Sequence, residues 1–221
     1  MYNCSRCCPT RASLLTGLYP HKAGVGHMTP NLGLQAYQGF LREDALTIAE
    51  VLKISGYKTL MSGKWHVGGN YVARDADNWN VGDNEHPTPR QRGFDKFFGI
   101  VDGSANHFSP HYLMEDDSRI EVDSENFYFT DAITDKAIKM IETTNTEQPF
   151  FLYLGHTAPH WPLQAPAETI AKYERFYLKG GAHFAVTRNE EMLGSGVLKH
   201  NWALSPRDQS APAWTATKHT A

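Results

Sequence analysis

Cys7-Cys8-Pro9-Thr10-Arg11-Ala12-Ser13-Leu14-Leu15-Thr16-Gly17 is the stretch from which the reading of the whole chain follows. Pro9 suits a first helical turn, where its missing N–H would have no intrahelical partner anyway. Thr10 to Leu18 sets helix formers on an apolar face, so the spacing predicts a helix there with Cys7 just before its N-terminus. Cys4, Cys7 and Cys8 are all the cysteines of the chain, and their crowding excludes a disulfide framework. Taken alone, Cys4-X-X-Cys7 reads as a redox pair, as half of a metal site, or as small buried thiols. A zinc site would need a fourth ligand and usually a second paired cluster, and the sequence shows neither.

Outward from this stretch, Tyr19 to Gln38 is rich in Gly, Pro and His and reads as a loop able to line a pocket. Thr47 and Glu50 have capping-box spacing, and Leu46, Ile48, Val51, Leu52 and Ile54 follow at near-helical spacing before Gly56. Tyr57 to Met61 is a short β-prone run that delivers Lys64, Trp65 and His66 to a strand end, where α/β sheets place ligands. Asn70 to Arg92 reads as a polar surface excursion, Phe94 to Val101 as a strand and Asp102 to Glu125 as loop. Thr130 to Thr143 carries Ala132, Ile133, Ala137, Ile138, Met140 and Ile141 on one side and reads as helix. The apolar run Pro149 to Gly155 predicts a central buried strand, followed by a rigid loop over His156 to Pro166. From Gly180 onward glycines interrupt a weak periodicity, and Ser205 to Ala221 reads as a loose tail. The repeating order favours a mixed or parallel sheet flanked by helices, an α/β fold.

The 221 residues are 41% apolar and 12% aromatic, enough for one sizeable core. Twenty-one basic against 24 acidic residues, with no Lys/Arg cluster, exclude the electrostatic footprint of a nucleic-acid binder. No apolar run reaches the roughly 18 residues of a membrane span. Met1 is followed by polar and cysteine residues rather than by a basic and then apolar leader. The chain as given therefore reads as soluble and without an export signal; its compartment stays open, periplasmic or secreted for a full-length parent.

Cys7-X-Pro9-X-Arg11, followed by Leu15, Thr16 and Gly17, resembles the signature of the type I sulfatases. The block Gly63-Lys64-Trp65-His66-Val67-Gly68 is similar to a second block of that family, with Val in place of Leu. Ala158-Pro159-His160-Trp161-Pro162 is similar to a third, and the run through Pro166 and the later Leu204 to Trp214 resemble the arylsulfatase branch. The resemblance implies an alkaline-phosphatase-like α/β/α sandwich with a mostly parallel central sheet, incomplete in this chain. It also implies a sulfuric ester hydrolase that yields an alcohol or phenol plus inorganic sulfate. Cys7 would be oxidised to formylglycine by a maturation enzyme. One hydroxyl of the aldehyde hydrate would attack sulfur, and the other, on losing its proton, would expel sulfate, which is covalent catalysis with a built-in release step. Arg11 would hold the nucleophile, Lys64 would contact the sulfate, and His66 would take the proton of the spare hydroxyl. His160 would bind the sulfate or protonate the departing alcohol, the role of a general acid, with His156 four residues earlier as a competitor that lies at the strand end rather than in the Ala-Pro-His block. By residue type alone, Lys64-X-His66 also reads as a surface pair and His160 as a structural histidine.

The resemblance further implies a divalent cation, usually calcium, bound by position 7, an upstream acidic pair and a downstream Asp-Asn pair, since hard cations take oxygen ligands. Met1 to Arg6 contain no carboxylate, and Asp77-Asn78 and Asp83-Asn84 stand in the surface excursion, outside the family's context. The expectation is therefore an N- and C-terminally truncated, poorly soluble sulfatase piece with little or no activity. Residues 1–179 would be a partial catalytic domain and 180–221 its weakly ordered continuation. Two alternatives accompany it: a non-catalytic remnant that binds sulfate, and a phosphoester hydrolase of the same superfamily, against which Cys7 in place of Ser or Thr argues.

Overall fold

A computed structural model describes residues 4–70, 80–122, 126–200 and 202–216. They fall into two compact units, 1–164 and 165–221.

In the first unit, helix α1 spans Cys7–Thr16 and ends on Gly17, whose φ of 69° suits a left-handed cap. The helix starts earlier than expected, with Cys7 as its first residue and Arg6 as N-cap. Helix α2 (Ile48–Ile54) has the full capping box: Thr47 Oγ1 accepts from the Glu50 amide, and the Glu50 carboxylate accepts from the Thr47 amide. Its one buried residue is Ala49, and Ile48, Val51 and Ile54 are exposed.

Five strands form one mixed sheet in the order β4-β3-β2-β1-β5. They are β1 (Lys58–Lys64), β2 (Lys96–Ile100), β3 (Leu113–Glu115), β4 (Ser118–Arg119) and β5 (Phe150–Gly155). β1 pairs parallel with β2 and β5, while β3 and β4 add antiparallel. The β3–β4 hairpin falls in the segment expected to be loop. Strands this short show no alternation, and the turn depends on Asp116 at φ 52°, a conformation that Asp tolerates. β5 is a parallel strand as expected but lies at the end of the sheet and is half exposed, not central and buried. A continuous apolar run reports strand type well and strand position poorly, because position depends on what pairs with the second edge.

Side-chain alternation along the strands separates two cores. Met61 and Phe97 pack with Cys8, Ala12 and Leu15 of α1 and Ala49 of α2. Phe98 and Ile100 pack on the other face against Phe129 and Ile133 of helix α3 (Phe129–Glu142), whose Ile133 carbonyl accepts from the Ser62 hydroxyl. Helices thus cover both faces, an α/β/α layering. Arg92 ties the loop before β2 to α2: it donates to the Ala45 carbonyl at 2.7 Å and pairs with Glu50 at 2.9 Å.

Gly63, Gly99 and Gly155 stand in register across β2, β1 and β5. A Cβ on Gly63 would lie 2.1 Å from the Gly155 carbonyl oxygen, and its φ of 118° is closed to L side chains. This row brings the three strand ends, and the loops that leave them, close together.

The second unit holds helices α4 (Ala167–Tyr177) and α5 (Gly180–Gly194) and a 3-10 turn at Trp214–Ala216. Phe176, Tyr177 and Phe184 pack together through tilted and edge-on ring contacts, and Trp214 Nε1 donates to the Leu178 carbonyl. The glycines that weakened the helical pattern from Gly180 onward sit at the ends of α5, at Gly180, Gly181 and Gly194, so its interior keeps its helix formers. No helix among the described residues is long and apolar enough to cross a membrane.

Candidate active site at the ends of β1 and β5

The start of α1 and the ends of β1 and β5 converge on one place. Arg11 Nη1 donates to the Lys64 carbonyl and, at 3.1 Å, to the Tyr153 hydroxyl. One guanidinium therefore joins α1, β1 and β5 at the level of the glycine row. Lys64 is 2% exposed, and burial, reinforced by the Arg11 charge, lowers its pKa.

His66 follows in a left-handed conformation at φ 58°, uncommon for a residue other than Gly, with its amide bonded to the Val101 carbonyl. Its ring is held against the backbone of Gly103, where a Cβ would lie 2.4 Å from His66 Cε1. Burial above all, and then the charges of Lys64, Arg11 and His160, push its pKa down to about 3. The imidazole is neutral at neutral pH.

Cys8 Sγ lies 3.3 Å from His66 Nε2. Burial pushes the Cys8 thiol up to about 12, so it keeps its proton at neutral pH and the contact is one between a neutral thiol and a neutral ring. Cys7 is half-buried and borders an open cleft with Thr10, Arg11, Tyr153 and His156. His160 is exposed on the loop after β5, with Nδ1 2.8 Å from the Trp161 carbonyl oxygen and its charge felt at both His66 and His107.

The structure thus brings Cys7, Arg11, Lys64 and His66 together; the histidine that lines the cleft beside Cys7 is His156, and His160 stands exposed on the loop that follows. Tyr153 and the Cys8–His66 contact did not emerge from the sequence, and the closeness of Gly103 to His66 did not either, although Gly103 to His107 is a further stretch similar to the family. Tyr153 stood inside an apolar strand run and Cys8 read as a buried thiol, so neither carried a spacing signal. Of the acidic candidates, Asp77-Asn78 lies outside the described residues; Asp83 pairs with His86 at 2.6 Å.

Residues 1–197 match the sulfatase family model. The chain belongs to the sulfatase family. It is 32% identical over 222 residues to an arylsulfatase of Klebsiella aerogenes, covering 94% of this chain and 44% of that protein. It is 31% identical over 230 residues to an uncharacterised sulfatase of Schizosaccharomyces pombe, covering 94% of this chain and 39% of that one. Among solved structures, Ps i-CgsB in complex with k-i-k-neocarrahexaose matches with a TM-score of 0.59 at 30% identity, over 76% of this chain and 38% of that one. The sulfatase chain thus spans about two fifths of the length of these relatives. The fold is alkaline-phosphatase-like α/β.

Sulfatases use a formylglycine and a divalent metal. The site suits the first: Cys7 is half-buried at a helix N-terminus beside a cleft, with two cations behind it. It does not suit a hard metal. Among the described residues, the metal-capable donors grouped around Cys7 are Cys8 and His66, a thiol and an imidazole, with no carboxylate in the group.

Proposed function

We propose that this chain carries the sulfate-ester site of an arylsulfatase-like sulfuric ester hydrolase, with Cys7 as the residue converted to formylglycine. The observation that carries the reading is the fixed cluster of Cys7, Arg11, Lys64 and the neutral His66 at the ends of β1 and β5. The hydrate formed at position 7 supplies a nucleophilic hydroxyl and a second hydroxyl for release of sulfate. Arg11, held by Lys64 and Tyr153, fixes position 7 on one side, and the Lys64 ammonium faces the anion. A neutral buried imidazole is the correct protonation state for taking a proton, which is the part of His66. His160, exposed on the loop after β5, gives a proton to the departing alkoxide or phenoxide.

The substrate is a sulfate ester, calcium is the metal of the complete family site, and a maturation enzyme is the partner that converts Cys7. Residues 1–179 belong to the catalytic domain, with 180–221 its continuation. No step is routed through a metal, because the donors at hand do not suit a hard one. That same mismatch favours a second reading, a chain that binds sulfate esters without turning them over.

Binding of an aryl sulfate and of the matching aryl phosphate to chain co-expressed with a formylglycine-generating enzyme tests the proposal. Selective, saturable binding of the sulfate that falls in Lys64→Met supports it. Preference for the phosphate, or binding indifferent to Lys64, overturns it.

A further inference from the structure

The mismatch with a hard cation has a positive side. Cys7 Sγ, Cys8 Sγ and a ring nitrogen of His66 all lie within 4.8 Å of one another. Cys8 Sγ lies 3.3 Å from His66 Nε2. In a tetrahedral zinc site, with Zn–S about 2.3 Å and Zn–N about 2.0–2.1 Å, a sulfur and a nitrogen ligand stand about 3.5 Å apart.

We propose that the chain in its unconverted thiol form binds a thiophilic cation, zinc first among them, through Cys7, Cys8 and His66, with the fourth position open to the cleft beside α1. The three ligands are preorganised. Cys7 and Cys8 open α1, where backbone N–H groups favour anionic sulfur. His66 is 4% exposed and is locked by its left-handed backbone and by Gly103. The half-buried Cys7 on the cleft gives the ion a path in.

Charge selects the kind of ion. Lys64 and Arg11 stand behind the site and repel a bare dication, so only ligands that become anionic on binding can hold it. Two thiols do so by releasing two protons to solvent, which leaves a neutral pair of thiolates and dication. Calcium and magnesium gain nothing comparable from sulfur. Cys4 is outside the cluster, so this is not the Cys4-X-X-Cys7 pair that the sequence suggests. A zinc–thiolate bond to Cys7 and an aldehyde at position 7 exclude each other, so zinc would hold unconverted chains in a separate, inactive form. The site needs neither conversion nor turnover, and it stands or falls independently of the sulfate-ester reading.

The test is titration of the reduced 221-residue chain with zinc against a chromogenic chelator and with cobalt as a spectroscopic probe. Expected are one equivalent bound, a thiolate-to-cobalt charge-transfer band, and protection of Cys7 and Cys8, but not Cys4, from alkylation. Cys7→Ser, Cys8→Ser and His66→Asn should each weaken zinc at least about 100-fold, and Cys4→Ser should leave it unchanged. Zinc-dependent protection of the half-buried Cys7 in the native chain, with Cys4 still alkylated, decides the matter even if the buried Cys8 variant fails to fold. Absence of the charge-transfer band overturns the proposal, as does a metal lost in Cys4→Ser and kept in Cys8→Ser.

Discussion

The Arg11 guanidinium donates to the main-chain carbonyl of Lys64, so a cation from α1 is fastened to the end of β1, one residue past Gly63. The same group reaches the Tyr153 hydroxyl on β5. Backbone and side-chain partners on two strands give it one orientation, which a lysine cannot copy because its ammonium lacks the planar fork.

Arg11→Lys should therefore weaken aryl sulfate binding even though the charge is kept. Loss of a charge-assisted hydrogen bond is worth about 1.5–3 kcal/mol, or roughly 10- to 100-fold in affinity. Tyr153→Phe removes the lesser partner and should have a smaller effect in the same direction. Calorimetric titration of the two variants checks the order; equal affinity in Arg11→Lys and wild type would remove Arg11 from the site.

His66 links the site to stability against acid. The unfolded chain takes up a proton on this ring near its ordinary pKa of 6.5, whereas the folded chain resists until about 3. The unfolded state thus binds more protons in that window, and stability falls as pH drops through it. Complete, the effect is on the order of 3–5 kcal/mol. In His66→Asn the acid limb of the stability curve should flatten between pH 6.5 and 3, and urea unfolding at several pH values measures it. An unchanged acid limb would mean that the ring is protonated in the folded chain.

Gly63 carries the geometry beneath the site. Gly63→Ala places a methyl 2.1 Å from the Gly155 carbonyl oxygen in a backbone conformation closed to alanine. The expected loss is about 3 kcal/mol or more, read as a lowered thermal midpoint, together with loss of sulfate binding. Gly17→Ala, at a helix cap where an added Cβ meets nothing within 4 Å, should cost only about 1 kcal/mol and leave binding intact. Similar losses for the two would show that the glycine row has no special part in the site.

Calcium added to the purified, converted chain should change neither its thermal midpoint nor its turnover of an aryl sulfate, because the donors left beside the position 7 aldehyde hydrate are the Cys8 thiol and the His66 imidazole, with no carboxylate grouped with them among the described residues. Calcium-dependent hydrolysis by this chain would show that the donor set has been misjudged.

Much of this was legible in local pattern. Thr47 and Glu50 marked the start of α2 because a capping box is a contact between near neighbours, and Phe129–Glu142 showed as a helix through its period. Cys7, Arg11, Lys64, His66 and His160 came from the resemblance of three short blocks to sulfatase motifs, and the fold places the first four in one cluster. What escaped depends on tertiary partners. The sheet-end position of β5 is set by which strands pair with it, not by Phe150–Gly155 itself. The Cys8–His66 contact joins residues 58 apart in the chain, and the closeness of Gly103 to His66 is visible only once β1 and β2 lie side by side.

The central claim is that position 7 is a nucleophile precursor in a sulfate-ester site, and peptide mass spectrometry across Cys7 tests it most directly. After co-expression with the maturation enzyme, the peptide should show the mass loss of thiol replaced by aldehyde at Cys7 alone, with Cys4 and Cys8 still alkylatable. A peptide that keeps all three thiols while a control substrate of the same enzyme is converted would contradict the account.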